Sequence, residues 1–526
     1  MVVQLGVDVG GTNTDAALLA GGVVIASIKT PTTAGIGGGI VQSIRKVLRV
    51  SALPRDRIDT VVIGTTQFTN AFIERRRLNP VGVIRLCLPA ARDLAPMSAW
   101  PDDLRGVIGD HTWLLPGGYE FDGREIAPFD ERAVRAAVRA IRARGLRAVA
   151  VSCVCSPING AMEQRVAEIV AEEIPDAAIT LSGEIGKIGL VERENAAIMN
   201  ASMASLSKHV VGAIREALRS LGITAPFHLS QNDGTLMSAD HVERYPVLTF
   251  SSGPTNSMRG AAFLSGVRDG IVVDIGGTTT DVGALINGYP RELTLPVDVG
   301  GVRTNFRMPD VVSVGLGGGS IVREQPALTI GPDSVGFRLT EEARVFGGET
   351  LTATDIVVAA GLEDIGDRSQ VASLDPKLID RALQLMNRTV ENVIDQVKTQ
   401  AGDVPIVLVG GGSIIVSDEL QGAERVVVPE HSAEANAIGA AMAQVGGVVD
   451  KVYSYRDRSR KVSINQAKID AARRVVDSGG DPAGIDIVEL EEVPLAYSGN
   501  DSVRIRVKAV SDLLHAERNL AVAANG

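Results

Sequence analysis

Two nine-residue segments of this sequence are nearly identical, and this internal repeat limits the folds that the chain can adopt. Residues 7–15 read VDVGGTNTD and residues 273–281 read VDIGGTTTD, with seven of nine positions the same. Each copy leads from an apolar strand through a glycine turn into a return strand, over 16–19 and 282–286. Because there are only two copies, 266 residues apart, we interpret them as the openings of two duplicated α/β halves with a cleft between them.

Strand-like runs of valine and isoleucine alternate with helical periodicity through most of the sequence, which is typical of α/β proteins. Helices are predicted over 133–144, 162–173, 191–220 and 380–399, and strands over 147–155 and 405–409. A chain of 526 residues is too long for one ordinary core. We therefore predict an N-terminal domain (1–180), a second domain (181–447) and a small C-terminal domain or tail (448–526).

Composition and charge exclude several classes of protein. The net charge of −11 argues against a nucleic-acid binder, which needs a basic surface. Three cysteines do not make a disulfide framework, and no Cys–His spacing completes a zinc site. The sequence has no run of 18 apolar residues and no secretory leader at its start. We expect a cytoplasmic protein that binds neither nucleic acid nor membrane.

The two loops carry the groups that hold the phosphates of a nucleotide. Asp8 and Asp274 end their strands, where a carboxylate can reach a hydrated Mg²⁺. The glycines leave no Cβ between the backbone and a phosphate, and the N–H groups of such turns form an anion-binding nest. We therefore predict that ATP binds at both loops. The predicted phosphate-binding residues are Gly10, Gly11, Thr12, Asn13 and Thr14, with Gly276, Gly277, Thr278, Thr279 and Thr280.

A third glycine cluster follows the predicted strand at 405–409. Its residues are Gly410, Gly411, Gly412 and Ser413. An adenine or ribose ring could lie against this bare backbone, although a simple strand-to-helix turn explains the cluster equally well. Residues 432–444 carry small side chains suited to close helix packing at a hinge. No P-loop motif is present, and GLGGGS at 315–320 lacks the βαβ context of a dinucleotide site.

Nine segments, in this order along the chain, resemble the A-type chains of the hydantoinase/oxoprolinase family, which belongs to the actin-like ATPase superfamily. They are GVDVGGTNTDAAL (6–18), GTTQFTNAF (64–72), LSGEIGKIGLVERENAAIMNA (181–201), LSQNDGTLM (229–237), FSSGPTNSMRGA (250–261), VVDIGGTTTDVGAL (272–285), VGLGGGSIV (314–322), IGPDSVG (330–336) and VGGGS (409–413). The resemblance implies two ribonuclease-H-like domains around a nucleotide cleft. It also implies ATP- and Mg²⁺-dependent opening of a cyclic amide such as 5-oxoproline or a hydantoin, with ketone carboxylation in one branch.

The resemblance also implies roles for individual residues. Asp8 and Asp274 would hold Mg²⁺, directly or through water, and Asp15 or Asp281 would orient the attacking oxygen or simply cap its loop. The implied substrate-side residues are Thr66, Asn70 and Asn232, with helix capping or turn formation as the alternative, and Gly317, Gly318 and Gly319 would close over phosphate or substrate. Residues 192–194 (Glu-Arg-Glu) are expected to form a solvated helix face, with substrate contact as the alternative.

Family members often work with a second subunit, so a hydantoinase-type partner and an oligomer are expected. Two other functions would bind ATP through the same loops, and the sequence does not distinguish them from cyclic amide opening. One is a small-molecule kinase of the same fold, and the other is an ATPase switch that acts on a protein partner.

Overall fold

The structure is a computed structural model that describes residues 1–10, 13–32, 36–293, 295–417, 419–456, 458–495 and 502–514. Strands β1–β23 are Val3–Val9, Asn13–Ala20, Val23–Pro31, Thr60–Thr65, Val81–Leu88, His111–Pro116, Ala148–Cys153, Ala178–Leu181, Phe227–Ser230, Thr235–Ser238, Gly270–Ile275, Thr280–Ile286, Tyr289–Pro290, Val297–Val299, Val302–Thr304, Val311–Val314, Ser320–Arg323, Thr329–Ser334, Val404–Val409, Ala423–Val427, Gln444–Ser454, Asp486–Pro494 and Ser502–Ser511. Helices α1–α15 are Ile36–Ser51, Gln67–Ile73, Asp102–Ile108, Glu131–Ala143, Ala161–Glu173, Ser182–Ile185, Leu190–Ser202, Ala204–Ser220, Ala239–Arg244, Ser252–Ser265, Leu339–Glu342, Ala353–Ala360, Pro376–Val397, Ala435–Ala441 and Arg460–Asp477.

Two sheets open with the same antiparallel hairpin. The first sheet has the strand order β22-β23-β21-β10-β9-β4-β1-β2-β3, and the second has the order β13-β12-β11-β19-β20 with β16 beside β12. Asp8 of β1 lies opposite Asp15 of β2, and Asp274 of β11 lies opposite Asp281 of β12. On its other side each opening strand has a parallel neighbour, β4 or β19. The duplicated α/β fold predicted from the repeat is confirmed.

A third, parallel sheet of order β6-β5-β7-β8 carries the predicted helices α4 and α5. The helix α4 begins at an N-cap, because the side chain of Asp130 accepts a hydrogen bond from the backbone N–H of Ala133. The long helix predicted over 191–220 is divided at Met203 into α7 and α8. Strand β7 ends at Cys153, two residues before the predicted end.

The C-terminal strands belong to the first sheet. Strand β21 pairs in parallel with β10 and in antiparallel register with β23, from Val445 opposite Ser511 to Ser454 opposite Ser502. Helix α15 covers these strands with buried Ala467, Ala471 and Val475. The domain boundaries predicted at 180 and 447 fall inside β8 and β21. The sheets therefore cross these boundaries, because a change in composition does not report which strands pair.

Two helices pack closely where the two halves meet. Helix α10 packs against β11, β12 and β19 of the second sheet and also against β4 of the first, whereas α14 packs against β1, β2 and β4. A Cβ atom on Gly260 would overlap the carbonyl oxygen of Ala435, and one on Gly439 would overlap that of Asn256. The close packing predicted for 432–444 is therefore confirmed, although α14 is shorter than this segment because β21 begins at Gln444.

Candidate functional site

The two glycine turns share one backbone hydrogen bond at equivalent positions. In the first, the N–H of Gly10 donates to the carbonyl of Asn13 at 3.0 Å, and in the second Gly276 donates to Thr279 at 2.9 Å. Gly11 and Thr12, both predicted to bind phosphate, lie outside the described residues. Thr278 is half-buried and Thr279 is exposed. Among the described residues, the repeat in the sequence is thus matched by an equivalent backbone hydrogen bond at the end of two equivalent strands.

Asp8 is buried beside α10 and α14, the two helices that pack against each other where the two halves meet. Asn256 of α10 donates its side-chain amide to Oδ1 at 3.2 Å, and Asn436 of α14 donates to Oδ2 at 3.4 Å. Burial raises the pKa of Asp8, these hydrogen bonds oppose the rise, and the negative charge of Asp274 adds to it. The carboxylates of the two halves are therefore close enough to interact electrostatically.

Asp15 is paired with a lysine that lies outside the repeated motif and was not predicted. Lys29 lies opposite Asp15 in the β2–β3 register, and its Nζ is 2.9 Å from Oδ2 of the carboxylate. The other oxygen, Oδ1, is buried without a hydrogen-bond partner. Burial raises the pKa of Asp15 to about 7, although Lys29 acts in the opposite direction. The sequence could have predicted this pair, because Lys29 lies in the strand that follows the strand of Asp15, and residues that lie opposite each other in a hairpin interact across the strands.

In the second half, the predicted glycine loops gather around the second turn. Gly318 donates its N–H to the carbonyl of Gly276 at 3.1 Å, and Gly319 donates to Gly277 at 2.8 Å. Gly412 donates to Ile275 at 2.7 Å. These contacts bring 317–319 and 410–413 together at one end of the second sheet, which is where the sequence predicts nucleotide contacts.

Asp274 and Asp281 lie beside these loops. A Cβ atom on Gly410 would overlap Oδ1 of Asp274, and the φ of Gly410 is +88°, which favours glycine. The hydroxyl of Ser313 donates to Oδ1 of Asp281. Burial raises the pKa of both carboxyls, that of Asp281 to about 6. The second half therefore repeats the raised carboxyl pKa values of the first half.

Two of the predicted phosphate ligands have their hydroxyls inside the protein. Thr14 and Thr280 are fully buried. The Thr280 hydroxyl donates to the carbonyl of Leu316 at 2.7 Å, and the Thr14 hydroxyl lies 3.1 Å from that of Thr32. Because side chains alternate along a strand, each threonine faces away from the aspartate that follows it. Their hydroxyls are therefore not part of the candidate phosphate site.

The residues expected on the substrate side do not form one cluster. Asn70 is exposed at helix α2, and its amide donates to the hydroxyl of Thr66 at 3.4 Å. Asn232 is buried; its side-chain amide donates to the carbonyl of Arg307, and its backbone N–H donates to Leu248 at 2.8 Å. The side chain of Asn232 thus ties its loop to the backbone at Arg307, whereas Thr66 and Asn70 retain their predicted place at a strand-to-helix turn.

The prediction of a solvated face at residues 192–194 is wrong for Arg193 and Glu194, which are fully buried. Glu194 accepts hydrogen bonds from Arg85 of β5 at 2.7 Å and from Ser152 of β7 at 2.6 Å. The guanidinium of Arg193 donates to the carbonyl of Cys153 at 2.6 Å. These ion-pair and hydrogen-bond contacts fix α7 to the parallel sheet.

The donor set at the loops fits a nucleotide with Mg²⁺. Among the residues that the structure describes, no group of three or more His, Cys, Asp or Glu side chains could hold a metal ion. Magnesium bound to a nucleotide needs only one or two carboxylates, because phosphates and waters supply its other ligands. Each oxygen of Asp8 accepts one hydrogen bond and keeps a further lone pair.

A surface groove of about 790 Å³ lies elsewhere, between α1 and α8, and is lined by Gln42, Arg45 and Glu216 among others. It contains neither paired carboxylates nor a glycine turn that follows a strand. We therefore place the candidate site at the two hairpins and not in this groove.

The fold and the site together define a class: an α/β protein with two equivalent carboxylate-bearing glycine turns, one in each half. Residues 4–174 match the family model described as the hydantoinase/oxoprolinase N-terminal region, and residues 193–364 match the model described as hydantoinase/oxoprolinase. The chain belongs to the hydantoinase/oxoprolinase family, and the resemblance found in the sequence is confirmed.

Several known proteins are similar to this chain. It is 28% identical to the alpha chain of caprolactamase from Pseudomonas jessenii, over 68% of this chain and 54% of that one. It is 32% identical to the acetophenone carboxylase gamma subunit of Aromatoleum aromaticum, over 45% of this chain and 34% of that one. The chain thus spans between a third and about half of the length of these two relatives.

The fold is also that of a solved relative. The structure of ATP-dependent caprolactamase from Pseudomonas jessenii superposes with a TM-score of 0.77 at 21% identity, covering 98% of this chain and 88% of that one. Acetone carboxylase superposes with a TM-score of 0.70 at 19% identity, covering 98% and 89%. Within the described ranges, no helix is both long and apolar enough to cross a membrane.

Replacing Asp15 by asparagine is expected to raise the melting temperature more at pH 8 than at pH 5, in the absence of nucleotide. Burial raises the pKa of Asp15 from 3.8 to about 7, so the folded state binds this proton more tightly than the unfolded state. Stability is therefore lost progressively between about pH 4 and pH 7, and asparagine avoids that loss. We expect a difference of about 2 °C or more at pH 8. An equal difference in melting temperature between the variant and the wild type at both pH values would contradict the raised pKa of Asp15.

Proposed function

We propose that the chain uses ATP to open a cyclic amide, acting together with a second subunit. The observation that carries this proposal is the pair of equivalent hairpins, in which Asp8 faces Asp15 and Asp274 faces Asp281 in the same register. Two carboxylates and two bare glycine turns suit a nucleotide whose phosphates are gripped from both halves. Family membership then directs the proposal to hydantoinase-type chemistry.

An unstrained cyclic amide resists water because its carbonyl is stabilised by resonance. Transfer of the terminal phosphoryl group to the carbonyl oxygen forms an O–P bond and breaks the bond to the β-phosphate, which releases ADP. Water can then add to the activated carbon, and the C–N bond breaks with the proton going to nitrogen, which leaves an acyl phosphate. A second water adds to the same carbon, and phosphate leaves with the former carbonyl oxygen. Such catalysis depends on positioning and on charge stabilisation.

In this proposal each described group has a distinct role. The backbone N–H groups of the glycine turns bind phosphate oxygens, and 410–413 contacts the adenosine. Asp8 and Asp274 would hold Mg²⁺, which neutralises charge on the phosphates when it is bound. Asp15 is suited to accept a proton from the attacking oxygen, since its Oδ1 is buried without a partner and its pKa is raised to about 7.

Ketone carboxylation is a second candidate, favoured by the 32% identity to the acetophenone carboxylase gamma subunit. Both reactions begin by activating a carbonyl oxygen, so the same phosphate grip would serve either. Both relatives are named as one chain of a larger enzyme, alpha in one case and gamma in the other, which supports a partner for this chain as well. We propose a hetero-oligomer in which the partner carries part of the reaction.

The test uses lactams labelled with ¹⁸O at the carbonyl, incubated with ATP, Mg²⁺ and the chain co-purified with its partner. We expect ADP, a ring-opened amino acid and inorganic phosphate that contains the ¹⁸O label. A stable phosphorylated product would instead identify a kinase. Turnover that requires a ketone and bicarbonate would identify a carboxylase, and partner release without any effect of small molecules would identify an ATPase switch.

A further inference from the structure

Lys29 is paired with one of the buried carboxylates of the candidate site. It is on β3, opposite Asp15, and its Nζ is 2.9 Å from the carboxylate. The side chain of Asp15 is only 4% exposed, whereas that of Lys29 is 32% exposed. One side of the ammonium group is thus held by Asp15, and the remainder is open to a ligand. An ammonium group has three donors, so it can bind Asp15 and an anion together.

Lys29 also reaches from the first half toward the second. Its Cε and Nζ both lie 3.9 Å from the position that a Cβ atom on Gly411 would occupy, and no other atom of the described chain comes within 4 Å of that position. Gly411 is exposed and belongs to the loop that follows β19. A ligand seated between the first hairpin and this loop would therefore contact the lysine.

The charges around Lys29 indicate what kind of ligand that would be. The lysine lowers the pKa of Asp8, Asp15 and Asp274, against the effect of burial on all three. A polyphosphate that approaches several carboxylates is repelled by them unless cations intervene. Magnesium can offset part of this repulsion, and a partly desolvated ammonium group offsets more. Lysine binds phosphate as a point charge.

We infer that Lys29 binds the β- and γ-phosphates of the nucleotide and holds them beside Asp15. This inference rests on the proposed nucleotide site and adds a side-chain ligand to its backbone turns. Lys29 approaches from β3 and not from either glycine turn. Its contact with Asp15 places the phosphate chain next to the carboxylate that would accept a proton.

The experiment is a calorimetric titration of ATP, ADP and adenosine, in the presence of Mg²⁺, into wild-type protein and three variants. Lys29→Met should weaken ATP binding by about 10- to 100-fold, a loss of about 1.4–2.7 kcal/mol, and should leave adenosine binding unchanged. Lys29→Arg should recover most of the ATP affinity, because it restores the charge. Lys377→Met is the matched control, because this exposed lysine lies on α13.

Four results would overturn the inference. If Lys29→Met binds ATP and adenosine as wild type does, the lysine is not a phosphate ligand, although the nucleotide site stands. If ATP and adenosine weaken equally, or if Lys29→Arg fails to recover affinity in a protein with the wild-type melting temperature, the role of Lys29 is structural. If the wild-type protein binds no ATP, both this inference and the proposed function fail.

Discussion

Replacement of Asp8 by asparagine is expected to lower ATP-dependent turnover by about two to three orders of magnitude, the range seen when one preorganised electrostatic group is removed. Asparagine has nearly the same size, so the packing around β1 is retained while the negative charge that would hold Mg²⁺ is lost. Folding should not suffer, because Asp8 is buried and its pKa is raised by that burial. Phosphate release at saturating ATP, together with a thermal melt, measures both effects.

The equivalent position of the second half supplies a matched comparison. Asp274→Asn should cause a loss of similar size, since Asp274 occupies the same register in its hairpin. Asp110→Asn is the control, because Asp110 is exposed and remote from both turns. Full activity in either Asp8→Asn or Asp274→Asn, with the control also active, would show that the two hairpins do not act as one phosphate clamp.

Replacement of Glu194 by glutamine is expected to destabilise the protein by about 3–5 kcal/mol, as removal of one partner from a buried ion pair usually does. Arg85 and Glu194 have side chains that are 0% and 1% exposed. Glutamine keeps the shape but leaves the guanidinium of Arg85 without a counter-charge in the interior. Urea unfolding followed by far-ultraviolet circular dichroism measures the change.

Two further variants test whether the effect comes from the buried charge. Glu172→Gln removes a partner of Arg135 on the surface, where both side chains are partly exposed, and should change stability by less than about 1 kcal/mol. A double replacement, Arg85→Met with Glu194→Met, should recover most of the loss, because neither charge then remains buried. A double variant that is no more stable than Glu194→Gln would assign the effect to packing instead.

The repeated nonapeptide was sufficient to predict the core of the fold. Equal sequences with equal flanking runs produce equal hairpins, so the pairing of Asp8 with Asp15 also predicts that of Asp274 with Asp281. The glycine clusters at 317–319 and 410–413 both contact the second turn, and their contact with a nucleotide stays a prediction. The two hairpins follow from local sequence, whereas the glycine cluster at 410–413 suits a strand-to-helix turn equally well.

The partners of these carboxylates could not be predicted in the same way. Asn256 and Asn436 bind Asp8 from 248 and 428 residues away, on helices whose positions depend on the packing of the whole chain. The sequence predicted a solvated helix face at Arg193 and Glu194. A charged pair on a helix gives the same sequence pattern whether water or a buried partner compensates its charges. The prediction assigned the final strands to a separate C-terminal domain and not to the first sheet, because composition does not encode which strands pair.

The pairing of β10 with β21 has a consequence for synthesis of the chain. Thr235 of β10 lies opposite Gln444 of β21, so about 200 residues must be translated before this sheet edge can be covered. At about 5–20 residues per second, that interval is on the order of 10–40 seconds. An uncovered edge offers its backbone groups to any passing strand. A chaperone that shelters the nascent chain during this interval is therefore expected to increase the yield of folded protein.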